Sequence, residues 1–188
     1  HLIRNRELLQ YNSKMDEKRI KEAENNFKHY LEDGKIKKVF QIQNIIYDTY
    51  VRNARESLAV ANHIFQNKIS SLWVVVTSYY SMFYIARAYL YKLGYKIGEE
   101  IAHQVVNESL IVQARHKIKN HVLTEYELGK EEALTISDNY LSNYENEKIK
   151  RATFQYETTE NIKESKAKTS LGRAKEFLTL MEGLLLDN

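Results

Sequence analysis

Three stretches of the chain carry apolar residues at alternating steps of four and three. Tyr47, Val51, Ala54, Leu58, Ala61 and Phe65 form the first series. Leu72, Val76, Tyr79, Phe83, Ala86, Leu90 and Leu93 form the second, and Ala167, Leu171, Ala174, Leu178, Met181 and Leu185 the third. A helix turns once in about 3.6 residues, so each series lines one side of a helix and leaves a polar remainder. Helices of this kind bury their stripes against one another. The spacing predicts an all-α, antiparallel helical bundle with helices over 44–67, 70–94 and 168–187 at its core. Proline usage agrees: about nine prolines are expected at average usage, and the 188 residues hold none. Proline breaks helix interiors, so its absence suits long helices.

A shorter series, Ile20, Ala23, Phe27, Tyr30 and Leu31, marks an earlier helix stopped by Asp33-Gly34. Weaker patterns predict helices near 99–119 and 122–143, and a third containing Lys150 to Tyr156. Gly34, Gly94, Gly98 and Gly129 are read as punctuation between helices. The resulting division is an N-terminal helical arm, 1–40, and a bundle domain, 41–188. Residues 69–86, ISSLWVVVTSYYSMFYIA, are uncharged and approach the length of a membrane span. Four serines and a threonine interrupt the run, and Arg87 closes it. That is the pattern of a helix buried on most sides inside a bundle, with Trp73 and Val74 on a second apolar face. His1 to Gln10 is too charged for a signal peptide, and the chain is read as cytoplasmic.

Cysteine is absent, so neither a disulfide framework nor a thiolate zinc site can form. The net charge of +3 permits nucleic-acid binding without requiring it. Fourteen tyrosines suit damp interfaces and core edges, where the ring is buried and the hydroxyl stays bonded. No phosphate-binding glycine loop, nucleophile elbow or HExxH zinc motif occurs. No metal site and no cofactor are expected.

Three basic features remain. Arg87 is either a salt-bridged arginine, with Glu99 or Glu100 as partner, or a phosphate ligand whose fork of donors matches phosphate oxygens. The stretch ARHKIKNHVL, 114–123, is either a nucleic-acid footprint or the solvated end of a helix. The stretch KIKRATFQYETT, 148–159, sets Lys148, Lys150 and Arg151 beside Phe154 and Tyr156. It suits RNA backbone contact with base stacking, and equally a helix with one apolar stripe.

In order along the chain, SYYSMFYIARAYLYKLG (78–94), IAHQVVNESL (101–110), RATFQY (151–156) and AKTSLGRAKEFL (167–178) resemble the HEPN superfamily of small helical bundles. The resemblance spans about residues 44 to 187. It implies an RNA-associated protein, in many members a metal-independent ribonuclease or toxin paired with a minimal nucleotidyltransferase antitoxin. It also implies a homodimer that brings two motifs into one cleft, and the apolar surplus around Trp73, Val74, Tyr80 and Tyr84 is read as that interface. The family's signature is arginine followed, four to six residues later, by histidine. Here Arg151 is followed by Tyr156, a side chain that titrates near 10 and is a weak base at neutral pH. On this resemblance Arg151 and Tyr156 are the candidate catalytic pair, and Lys148, Lys150, Arg151, Phe154 and Arg87 the candidate RNA-binding set. A literal arginine-to-histidine spacing joins Arg115 and His121, one match that chance alone would supply. The alternative is a non-catalytic dimeric module that docks a nucleotidyltransferase or another protein.

Overall fold

The computed structural model describes residues 15–146 and 164–187, with side chains given for all of these except 139–146. Six helices and one two-stranded ribbon make up the described residues. They are α1 (Glu17–Glu32), β1 (Ile36–Lys38), α2 (Asn44–Gln66), α3 (Ser71–Lys92), β2 (Tyr95–Ile97), α4 (Ala102–Ala114), α5 (Asn120–Asn146) and α6 (Glu164–Leu186).

Helix α3 is the axis of the molecule. Fifteen of its 22 residues are buried, which only a helix covered on several sides can achieve. Ser70 caps its start, its hydroxyl accepting from the Trp73 amide at 3.3 Å. Gly94 ends it at φ +89°, and a Cβ there would stand 3.0 Å from the Val39 carbonyl oxygen. Helix α2 returns along α3, and α6 packs against α3 and also touches α2. Val74 meets Ala61 of α2 and Ala167 and Leu171 of α6 at one end, while Lys92 donates to the Leu185 carbonyl at the other. Thus α6 runs in the same sense as α3, and α2 antiparallel to both. Helix α5 runs antiparallel to α6, with His121 at 3.6 Å from Glu176, Glu125 at 2.5 Å from Arg173 and Glu132 at 3.7 Å from Lys166. The three stripes therefore fall where their spacing puts them, and the bundle is all-α apart from the ribbon. Among the described residues no helix is long and apolar enough to cross a membrane.

Several details depart from the sequence reading. Val74 is buried between α2 and α6 and adds nothing to a surplus surface. Gly129 lies inside α5, not between helices. A Cβ there would sit 2.7 Å from the Met82 methyl, so the missing side chain is a packing choice where α5 crosses α3. The helix expected over 99–119 is shorter, ending at Ala114.

The N-terminal segment shares the main core. Ala23 and Phe27 of α1 and Ile36 of β1 are buried in the same cluster as α3 and α4. Asp16 caps α1 by accepting from the Lys18 amide, and Gly34, at φ +72°, turns the chain into β1. β1 and β2 pair antiparallel with Ile36 opposite Ile97, Lys37 opposite Lys96 and Lys38 opposite Tyr95.

Candidate functional site

Where α3 nears its end, Arg87 turns inward. Its residue is 6 % exposed, although the side chain carries a full charge. The turn at Gly94 folds β2 back along α3, and this brings the Ile97 carbonyl and Glu99 to the guanidinium. Arg87 Nη2 donates to the Ile97 carbonyl at 3.0 Å and to Glu99 Oε1 at 2.9 Å. The guanidinium carbon stands 4.8 Å above the Tyr50 ring of α2 and 5.5 Å from the Phe83 ring, one turn earlier on α3. Nε has no hydrogen-bond partner among the described residues. The side chain of Glu99 is 85 % exposed, so the partner of this buried cation faces water. Its hydrogen bond from Arg87 and the charge of Arg87 hold the Glu99 carboxyl below the usual range. The sequence alternative of an Arg87–Glu99 pair is therefore present in the structure.

His103, in the first turn of α4, packs on Phe83 as well. The ring centroids of His103 and Phe83 are 4.4 Å apart, and Tyr79 Oη lies 2.9 Å from His103 Nδ1. Burial raises the Tyr79 hydroxyl far above its ordinary value, so it remains a phenol and can donate. Burial lowers the His103 pKa, and the charges of Arg87 and Lys130 lower it further against the opposing pull of Glu99. At neutral pH the imidazole is therefore uncharged. The hydrogen bond with Tyr79 is made at Nδ1 and orients the ring. The arrangement sets a neutral imidazole and a buried guanidinium around one phenyl ring, with one exposed carboxylate answering the guanidinium. Chemically it can hold an anion that displaces Glu99, and it can exchange a proton at His103.

A second polar cluster fastens α1. Arg19 Nη1 and Nη2 donate to both carboxylate oxygens of Glu108, at 2.8 and 2.9 Å, and its Nε and Nη2 donate to Glu127, at 3.0 and 2.7 Å. Glu108 is 1 % exposed and also accepts from Gln104 Nε2 at 2.6 Å. Asn107 donates to Glu127, and Lys130 donates to Gln104 beside His103. Of these contacts the sequence offered only the Arg87–Glu99 pair, as one of two readings. IAHQVVNESL pointed to a histidine-bearing helix start by resemblance, but Tyr79, Arg19 and Glu127, the partners of His103, Glu108 and Asn107, come from other helices.

Of the sequence-derived site residues, Arg87 is placed as above. Lys148, Lys150, Arg151, Phe154 and Tyr156 lie outside the described residues. Arg115 and His121 do not converge: Arg115 pairs with Glu24 of α1 at 2.6 Å, and His121 faces Glu176 of α6. The stretch 114–123 is the connection from α4 to α5, with Ile118 and Val122 buried and His116, Lys117 and Lys119 exposed. Among the described residues no group of three or more histidine or acidic side chains is placed to hold a metal ion.

A central helix carrying Tyr79-Tyr80, joined through a glycine turn to a helix that bears His103, is the arrangement that the resemblance implied. The family model for the HEPN domain matches residues 47–184. The chain belongs to the HEPN domain family. Neither a curated protein nor a solved structure matches it. The match begins inside α2, so α1 and β1 precede it, and the Arg19 cluster ties this preceding segment to the HEPN helices.

Proposed function

We propose that this HEPN protein is RNA-directed, a cytoplasmic homodimer that binds RNA as the toxin-type component of a toxin–antitoxin pair. On this reading Arg151 anchors a phosphate, Lys148 and Lys150 add cationic contacts, and Phe154 and Tyr156 stack on or orient a nucleotide. Family membership and the basic-aromatic composition of 148–156 support it. The observation that carries it among the described residues is the Arg87 site. A buried guanidinium whose one acidic partner faces water is open to exchange of that partner for a phosphate. Cleavage without a metal further needs a group that moves the 2′-hydroxyl proton near neutral pH. Tyr156 is a weak base there, whereas the uncharged His103 beside Arg87 has the right protonation state.

The test is binding of single-stranded RNA by the purified chain at rising salt. Phosphate contacts release counterions, so affinity is expected to fall steeply. Arg151→Ala should weaken binding. Tyr156→Phe should separate hydroxyl chemistry from stacking, and any cleavage should survive EDTA. No binding at low salt, or binding unchanged in both Arg151→Ala and Arg87→Leu, sinks this reading.

One observation favours the alternative, a non-catalytic module that docks a nucleotidyltransferase or other protein. Trp73, Thr77, Tyr80 and Tyr84 follow four-three-four spacing on one side of α3, and that side is only partly covered. Trp73 is 46 % exposed, and Thr77, Tyr80 and Tyr84 are half-buried. A partly wet aromatic stripe of this kind suits a protein interface. Light scattering that gives a monomer, together with failure to bind RNA, would promote that module to first place.

A further inference from the structure

The ribbon of β1 and β2 carries an arrangement that folding alone does not explain. Lys37 and Lys96 are directly opposite in the register and both are exposed. Like charges facing each other across an antiparallel pair repel, so this pairing weakens the ribbon. Lys38, also exposed, follows on the same strand but on the other face, opposite Tyr95. None of the three lysines has an ion-pair partner among the described residues. Acidic side chains are close in sequence but already engaged at the other end of the ribbon. Asp33 and Glu100 lie 4.0 and 3.9 Å from Lys35, and Glu99 holds Arg87. The ribbon is thus polarised, with its acids gathered near Gly98 and its unpaired lysines toward Gly94.

Beyond that basic end stands Phe40, 97 % exposed. Its place is fixed, because the Val39 amide donates to the Gly94 carbonyl at 2.7 Å and the Gln43 amide to Tyr91 Oη at 3.2 Å. The ribbon itself is held firmly. Ile36 and Ile97 are buried in the core, the Gly98 amide donates to the Lys35 carbonyl at 2.9 Å, and Tyr95 packs edge-on against Phe27 at 5.4 Å. A rigid strip of unpaired ammonium groups ending in a bare phenyl ring matches a chain of phosphates carrying flat bases. An acidic polypeptide would answer the lysines but gives Phe40 no comparable stacking partner.

The geometry points to the β1–β2 ribbon as a second contact surface for single-stranded RNA, with Lys37 and Lys96 on phosphates and Phe40 stacked on a base. This rests on the RNA-directed reading above and extends it to a face most of whose residues, those of β1 and Phe40, precede the HEPN match. The surface is separate from the 148–156 segment, so the two contributions are separable by mutation.

The experiment measures binding of fluorescein-labelled oligouridylate, and separately of labelled polyglutamate, to the full chain over a salt series. Lys37→Ala/Lys96→Ala removes two phosphate contacts and should lower the magnitude of the log–log salt slope by about 1.4. Phe40→Ala should weaken oligouridylate binding roughly tenfold, and Phe40→Trp should restore it. All the substituted side chains are exposed, so the fold is expected to survive, and a circular dichroism melt checks this. If the unaltered protein binds no RNA, the RNA-directed reading fails and this inference with it. If it binds RNA and Arg151→Ala weakens that binding while the lysine pair and Phe40 variants leave it unchanged, the ribbon surface alone is overturned. If polyglutamate binds and loses affinity in Lys37→Ala/Lys96→Ala while oligouridylate is indifferent, an acidic polypeptide is the occupant and the RNA assignment is wrong.

Discussion

Arg19 and Arg87 are both drawn into the fold, and they are answered in opposite ways. The Arg19 side chain is 23 % exposed and meets Glu108 with both forks, while the Glu108 side chain is 1 % exposed. The Arg87 side chain is 7 % exposed and meets Glu99, which is 85 % exposed. In the first pair the carboxylate is the buried partner. Nothing from solution can replace it, and removing the arginine would leave a desolvated anion. In the second pair the cation is buried and the anion is at the surface, so another anion can take its place. The first is a rivet between α1, α4 and α5. The second is a latch at the end of α3 that solution can reach. Burial of an arginine therefore says little about its role until the burial of its partner is known.

The largest expected effect strikes the frame of the latch. Phe83 is 4 % exposed and its ring packs against both His103 and Arg87. Phe83→Ala should destabilise the protein by about 3–5 kcal/mol in urea denaturation. A loss under about 1 kcal/mol would mean that the ring is not packed against the two groups. Arg19→Leu comes next, at about 2–3 kcal/mol, because it strands Glu108. Limited proteolysis should then cut between α1 and β1 in the variant and spare the unaltered chain. Equal resistance of the two would reduce the rivet to an ordinary surface pair.

Glu99→Gln should change stability by less than about 1 kcal/mol, since the carboxylate is exposed. It removes the competitor for Arg87 and should strengthen binding of inorganic phosphate or RNA, whereas Arg87→Leu should abolish the gain. Weaker binding in Glu99→Gln would show that Glu99 positions the guanidinium instead of guarding it. The smallest effect is the pH profile. His103 takes its proton at lower pH in the folded state than the unfolded value of about 6.5. Between the two values only the unfolded chain binds the proton, so stability falls as pH drops below about 6.5. His103→Gln should flatten that limb. Glu99 has a lowered folded value too, so the stability it adds is present above about 4.3 and is lost as pH falls through the lower folded value. Glu99→Gln should remove this acid limb and leave the His103 limb in place.

The three helices at the heart of the bundle were legible because a stripe repeats within each helix. Leu72 through Leu93 and Ala167 through Leu185 declare their sides without reference to any other segment. The ribbon was not legible. IKK and YKI are three residues each, too short for alternation to register, and only Gly34 and Gly94 marked their approaches. Gly129 was misread because a glycine inside α5 is explained only by Met82 of α3. The Arg87–Glu99 pair was anticipated as one of two alternatives, since twelve residues and a turn separate its members. His103 with Tyr79, 24 residues apart, and Arg19 with Glu108, 89 apart, leave no local trace. Sequence shows which side of a helix is buried, but not which distant side chain waits there.

Those separations also order the assembly of the protein in time. The contact of Arg87 with Glu99 closes a circuit of 12 residues, and that of Arg19 with Glu127 one of 108. Ring-closure entropy makes the longer circuit costlier by about 2 kcal/mol. On a ribosome, the turn holding Arg87 and Glu99 has both its halves soon after β2 emerges. Helix α1, made before α5, must wait for it before Arg19 finds its second carboxylate. During that interval Phe27 and Ala23 have no finished core to enter. A helix synthesised before most of its partners is thus among the last to reach its place.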